Sequence, residues 1–182
     1  MEQPRTSAKI EVYTLPSWHV AYKRLRTTWG GAFNGKVMAA FDEVARWCQR
    51  RYTADDIGIS ILCSAEDNWQ RLPDALTYDA CVVVPRLVQH EQQEIKTQHL
   101  PGGLYAVCRI EKQAGAPSAF AEAIREMTWM SEYMYIHWIP NHGYQLDDKP
   151  GMHIFYTEPA NETIAMSCCL PISPIMEQDS QI

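Results

Sequence analysis

A chain of 182 residues, of which 46% are hydrophobic and 21% charged, has the size and composition of one globular domain. The formal net charge of −6 argues against a nucleic-acid surface, and no apolar run has the 18 residues that a membrane helix needs. The N-terminal segment MEQPRTSAK lacks the apolar core of a signal peptide, so we expect a cytoplasmic protein.

The first half of the chain predicts strands around one helix. Residues 1–9 are polar and predicted to be disordered. Apolar residues recur every three or four positions from Phe33 to Cys48, a spacing that predicts an amphipathic helix ending near Arg51. The predicted strands of this half are Ile10–Tyr13, His19–Tyr22, Ile57–Cys63 and Tyr78–Val84.

The second half repeats this order after a polar connector, residues 86–103. A helical stripe runs from Phe120 to Met134, and Pro140 followed by Asn-His-Gly predicts a helix stop, because proline lacks the N–H and glycine accepts a left-handed cap. Residues 174–182 are predicted to be a flexible tail. The predicted strands are Leu104–Ile110, His153–Thr157 and Ile164–Ile172.

The repeated order predicts a duplicated α+β domain over residues 10–173, with pseudo-repeats 10–85 and 104–173. An offset of about 85 aligns the segment Val20–Arg24 with Tyr105–Arg109. A nearly equal offset aligns Cys81–Pro85 with Ser167–Pro171. One half alone would leave its sheet poorly covered, so we expect the two halves to share a core.

The chemical motifs favour binding over catalysis. The histidines lack metal-ligand spacing, and the six cysteines lie mostly in apolar segments, where we expect small buried hydrophobes. We expect no catalytic residue, no metal and no cofactor. Residues 129–159 concentrate tryptophan, tyrosine and histidine, which indicates either an aromatic core or a stacking pocket for an organic ligand.

The chain resembles the GyrI-like small-molecule-binding domain, which is also the effector-binding half of AraC-type and multidrug-sensing bacterial regulators. The resemblance covers roughly residues 9–173. It implies two β-α-β-β modules that form one largely antiparallel sheet, with two helices packed on it and a central ligand cleft. The segments that carry it are Leu15-Pro16, Val20–Arg24, Gly58–Ser60, Glu66-Asp67, Leu76–Cys81, Leu100–Ala106 and Trp138–Tyr144.

Members of this family bind bulky, lipophilic, often cationic compounds, and a glutamate in a Pro-x-x-Glu-x-Tyr pattern meets the positive charge. Here that pattern falls on Pro150–Phe155, so His153 replaces the acid and Phe155 the tyrosine. The two side chains share one strand face, and Ile154 and Tyr156 share the other. A register slip of one residue would exchange the faces, so that Tyr156 would face the ligand. An unperturbed histidine titrates at about 6.5, which predicts cation binding that changes between pH 5.5 and 8.

The sequence therefore predicts a domain that binds a lipophilic small molecule, with links to transcriptional regulation. A role as a DNA gyrase inhibitor or a partner of a separately encoded regulator is the first alternative. Hydrolysis of strained toxins is the second alternative, which the loss of the acid at His153 disfavours. The predicted ligand-binding residues are Tyr22, Trp29, Trp69, Trp138, His153 and Phe155.

Overall fold

The computed structural model describes residues 9–27, 35–64, 76–88, 94–113, 119–156 and 163–175. Over these residues the strands form one sheet whose pairings are antiparallel, and two main helices pack on it. The helices are α1 (Gly35–Gln49) and α2 (Ala119–Tyr133). The strands are β1 (Ile10–Leu15), β2 (Trp18–Thr27), β3 (Ser60–Ser64), β4 (Leu76–Val84), β5 (Ile95–Leu100), β6 (Gly103–Gln113), β7 (Tyr144–Leu146), β8 (Met152–Tyr156) and β9 (Thr163–Pro174).

The strand order is β1-β6-β9-β8-β3-β4-β2-β5, and β7 pairs with β9. The two units β2-α1-β3-β4 and β6-α2-β8-β9 take equivalent places when this order is counted from its two ends. The approximate two-fold axis of this order passes between the two central strands, β3 and β8, on which Leu62 and His153 are direct partners. This arrangement confirms the predicted fold of two β-α-β-β modules that share one sheet.

The two predicted offsets between the halves, about 85 for β2 and 86 for β4, are not compatible with the strand pairing. Ala21 pairs with Val82 and Ala106 pairs with Leu170, so if β2 and β6 are equivalent at an offset of 85, β4 and β9 are equivalent at 88. The predicted offset for these strands was two residues smaller. An error of two preserves the alternation of faces, so the sequence pattern did not expose it.

Two short strands lie where the sequence predicted none. The segment read as a polar connector contains β5, an edge strand that pairs with β2. Only Ile95 and Leu100 of β5 are buried, so its apolar signal is weak. β7 has three residues and pairs with the end of β9, which therefore continues to Pro174, one residue into the predicted tail.

The corner between β5 and β6 packs against the corner between β1 and β2, and the contact is made at Gly102. A Cβ atom on this residue would lie 2.6 Å from the Leu15 carbonyl oxygen and 2.7 Å from the Ser17 nitrogen. Only glycine therefore fits here without displacement of the backbone. Both proline-containing corners, Leu15-Pro16 and Leu100-Pro101, belong to the segments that carry the family resemblance.

Helix α2 extends beyond the predicted stripe. A π-helical turn, Met134–Trp138, follows it directly, and a last helical turn ends at Asn141. Gly143 has a φ of +76°, the left-handed conformation predicted for the stop. The core under α2 joins Met127, Met130 and Met134 to the neighbouring sides of β6 and β9.

Candidate functional site

The pairing register assigns each strand residue to one of two sheet faces, since direct partners across antiparallel strands point the same way. The row of partners His153, Leu62, Ala80 and Lys23 faces the helices, because Leu62 and Ala80 pack with Val37 of α1. We call this side the helix face. The adjacent row points to the opposite face and consists of Ile154, Ile61, Cys81 and Tyr22.

The helix face is covered incompletely at its centre. α1 packs on β2 and β4 and α2 packs on β6 and β9, so β3 and β8 lie between the two helices. His153 and Phe155 remain partly accessible there, whereas Met152 and Ile154, which point to the opposite face, are 1% and 3% exposed. We call the space between α1 and α2, with His153 and Phe155 as its floor, the interhelix cleft.

A buried polar group borders His153 on the α2 side. Ser131 Oγ lies 3.3 Å from His153 Nε2 and 3.0 Å from Cys168 Sγ. The same hydroxyl donates to the Met127 carbonyl oxygen over 2.8 Å. Burial lowers the pKa of His153 to about 4, so the ring is neutral at neutral pH. The expected titration near the unperturbed value is therefore wrong, because Nδ1 is buried and Nε2 lies against Ser131, although part of the side chain stays accessible.

The register of β8 shows which of its aromatic side chains faces the cleft. His153 pairs with Leu62 and Phe155 pairs with Ser60, so both point to the helix face and the strand has not slipped. The Phe155 ring meets the Phe41 ring of α1 edge to face, with centroids 5.7 Å apart. Tyr156 points to the opposite face, where the Arg109 guanidinium lies 4.7 Å from its ring centroid.

The remaining predicted site residues do not join this pair. Tyr22 lies on the opposite face, and burial raises the pKa of its hydroxyl. Trp138 belongs to the π-helical turn, where its ring stacks on His142 at 4.2 Å and on Tyr144 at 6.2 Å. Trp29 and Trp69 lie outside the described residues. The structure thus brings together His153 and Phe155.

The opposite face has a feature that sequence reasoning missed, a cavity of about 550 Å³ with charged walls. Asp79, 1% exposed, accepts hydrogen bonds from Arg24 Nε at 2.8 Å, Arg24 Nη2 at 2.9 Å and Gln98 Nε2 at 3.2 Å. The ion pair between Asp147 and Lys149 lines the same cavity. The sequence signal for this site was Asp79, a carboxylate inside the mostly apolar strand β4. A buried charge requires partners, so Asp79 could have predicted a polar site here.

The cysteines are confirmed as small buried hydrophobes. All six are free and buried. Burial raises the pKa of Cys63 and of Cys168 to about 12, which leaves both thiols protonated and poorly nucleophilic. In the described part of the chain, no group of three His, Cys, Asp or Glu side chains is placed to hold a metal ion. None of the helices described there is long and apolar enough to cross a membrane.

Comparison with solved structures shows the same fold at low sequence identity. The C-terminal domain of EcmrR aligns with a TM-score of 0.65 and 10% identity, over 93% of this chain and 99% of that domain. The EcmrR chain in a DNA complex aligns with a TM-score of 0.63 and 10% identity, and the match covers 92% of this chain but 58% of that one. SAV2435 bound to tetraphenylphosphonium aligns with a TM-score of 0.56 and 15% identity, over 91% and 94% of the two chains.

No curated protein shows significant sequence similarity to the chain. The model of one protein family, however, matches residues 8–173, nearly the whole of the sequence. The matched range includes both β-α-β-β units, both main helices and the floor of the interhelix cleft. The chain therefore belongs to the GyrI-like family, the GyrI-like small-molecule-binding domains.

Proposed function

We propose that the protein binds a bulky, neutral, ring-containing molecule in the interhelix cleft and does not transform it. The observation that carries this proposal is the pair His153 and Phe155, which stay partly accessible at the centre of the sheet. His153 occupies the position where the family pattern has its charge-sensing glutamate. Phe155 supplies an apolar ring beside it, and enclosed aromatic surface contributes strongly to binding.

The preference for a neutral ligand follows from the charges around the floor. The groups described above that contact the floor, Leu62, Phe41, Ser131 and Cys168, are uncharged. Lys23, farther along the same row, is already paired with Glu43 at 2.6 Å and Glu94 at 3.0 Å. Against these described groups, a cation would lose its hydration without gaining a counter-charge.

A binding role without turnover follows from the ionisation of the same groups. A general base at neutral pH needs a pKa near the working pH, and burial places that of His153 at about 4. The neighbouring thiol, Cys168, has a pKa raised to about 12 by burial, so it is not an activated nucleophile. We further infer that another protein responds to whether the ligand is bound, in keeping with the effector domains of this family.

The experiment compares acridine with N-methylacridinium at pH 8, two compounds of nearly the same shape that differ in charge. We expect saturable acridine binding, about tenfold tighter than that of the cation. His153→Glu should strengthen cation binding by about 1–2 kcal/mol, because it restores a fixed negative charge to the floor.

The matched variants Phe155→Ala and Tyr156→Ala assign the site, because these neighbours point to opposite faces of β8. Phe155→Ala should weaken acridine binding about tenfold, whereas Tyr156→Ala should leave it within a factor of two. Tighter binding of the cation to the parent protein, or equal losses in the two alanine variants, would contradict the proposal.

A further inference from the structure

We propose that Ser131 fixes His153 as the Nε2–H tautomer, so that the cleft selects neutral ring ligands with an N–H or O–H group. The selection of ligands rests on the proposed function. The assignment of the tautomer does not, since it follows from hydrogen-bond geometry alone. Ser131 is thus a positioning residue that acts through His153.

The tautomer follows from counting the protons around Ser131 Oγ. A hydroxyl has one proton, and the Met127 carbonyl oxygen, 2.8 Å away, can only accept it. With that proton committed, the other two groups within reach, His153 Nε2 at 3.3 Å and Cys168 Sγ at 3.0 Å, can bond to Oγ only as donors. The proton of the neutral ring is on Nε2, and Nδ1 carries the lone pair.

The surroundings of the ring support this assignment. Ser131 on α2, Cys168 on β9 and Leu62 on β3 face His153, and none of these groups adds a charge. The raised pKa of Cys168 keeps its S–H proton available for Oγ. Burial also lowers the pKa of His153, so that the ring keeps one proton at neutral pH.

The consequence for ligands is a change from a charged acceptor to a neutral one. Where the family pattern has a carboxylate, this chain has Nδ1, an acceptor without charge that a ligand N–H or O–H group can match. Nδ1 is buried in the structure, so the cleft must widen for this contact to form. A net hydrogen bond of this kind corresponds to about a 3- to 10-fold gain in affinity.

The first test is ¹⁵N NMR of the histidine rings in the ligand-free protein. We expect a protonated Nε2 and an unprotonated Nδ1 for His153, unchanged in Ser131→Thr. Ser131→Ala should move the proton or broaden the Nε2–H signal. Thr128→Ala is the matched control, because Thr128 Oγ makes the same bond to a carbonyl four residues earlier, at 2.9 Å from Ile124 O, one turn away on α2. A proton on Nδ1 in the parent, or a Ser131→Ala spectrum like that of the parent, would overturn the tautomer.

The second test compares carbazole, which has a ring N–H group, with 9-methylcarbazole, in which a methyl group replaces that hydrogen. The parent and Thr128→Ala should prefer carbazole about 3- to 10-fold, and Ser131→Ala should lose the preference. A preference that arises from the bulk of the methyl group would persist in Ser131→Ala and would overturn the proposal, as would equal binding by the parent. Binding of neither compound would overturn the selection together with the proposed function, while the NMR spectra still decide the tautomer.

Discussion

The neutral state of His153 predicts a specific loss of stability in mild acid. The histidine of an unfolded chain titrates at about 6.5, whereas burial lowers the folded-state pKa to about 4. Between these values the unfolded state binds a proton that the folded state does not. Stability from this group is therefore complete above pH 6.5 and is lost progressively as the pH falls toward 4.

The magnitude follows from the two pKa values. The full difference corresponds to about 3 kcal/mol, and lowering the pH from 8 to 5 should cost about 2 kcal/mol of unfolding free energy. His153→Leu should abolish this component, because leucine does not titrate. Leucine is an apolar side chain that suits this position, since the direct cross-strand partner of His153 is Leu62.

Urea unfolding of the parent, His153→Leu and the control His99→Gln at pH 8, 7, 6 and 5 measures this component. His99 is exposed on the edge strand β5, so its variant should retain the loss seen in the parent. Stopping at pH 5 avoids the range in which most carboxylates titrate. The reasoning fails if the parent and His153→Leu lose the same free energy between pH 8 and 5.

Two further predictions follow from the fold and a third follows from the proposed function. Gly102→Ala should destabilise the protein by about 1–3 kcal/mol in urea unfolding, since the new Cβ would meet the Leu15 carbonyl oxygen. In the control Gly35→Ala the new Cβ has no atom within 4 Å, so this variant should not be destabilised. Asp79→Asn should cost about 1–3 kcal/mol in the same assay, because it weakens charge-assisted bonds to Arg24; an unchanged midpoint would show that the ion pair adds no stability. The protein should leave DNA supercoiling by purified gyrase unchanged, with or without acridine, and inhibition would support the interaction role instead.

Much of the architecture was predictable because each β-α-β-β unit has distinct periodicities. The stripe of α1 and the apolar segments of β3, β4, β6 and β9 each specify an element type. β5 was not predictable in the same way, because its two buried residues, Ile95 and Leu100, point to opposite faces. Its strand conformation depends on pairing with β2, a long-range contact without a local signature.

The sequence predicted the site only where the alternation of side chains along one strand decides which residues lie together. Alternation along β8 put His153 and Phe155 on one face, and the pairings with β3 confirm it. The face of Tyr22 depends on how β2 aligns with the rest of the sheet, which aromatic content does not reveal. The surroundings of Trp138 depend on the π-helical turn, which shifts the helical phase after Met134.

The central claim is that the ligand lies on the helix face, between α1 and α2. A crystal structure of the protein with acridine tests this most directly. We predict ring density against Phe155 and within contact distance of His153, with the two helices farther apart than in the ligand-free form. Acridine bound instead on the opposite face, in the cavity beside Arg24 and Asp79, would contradict the account.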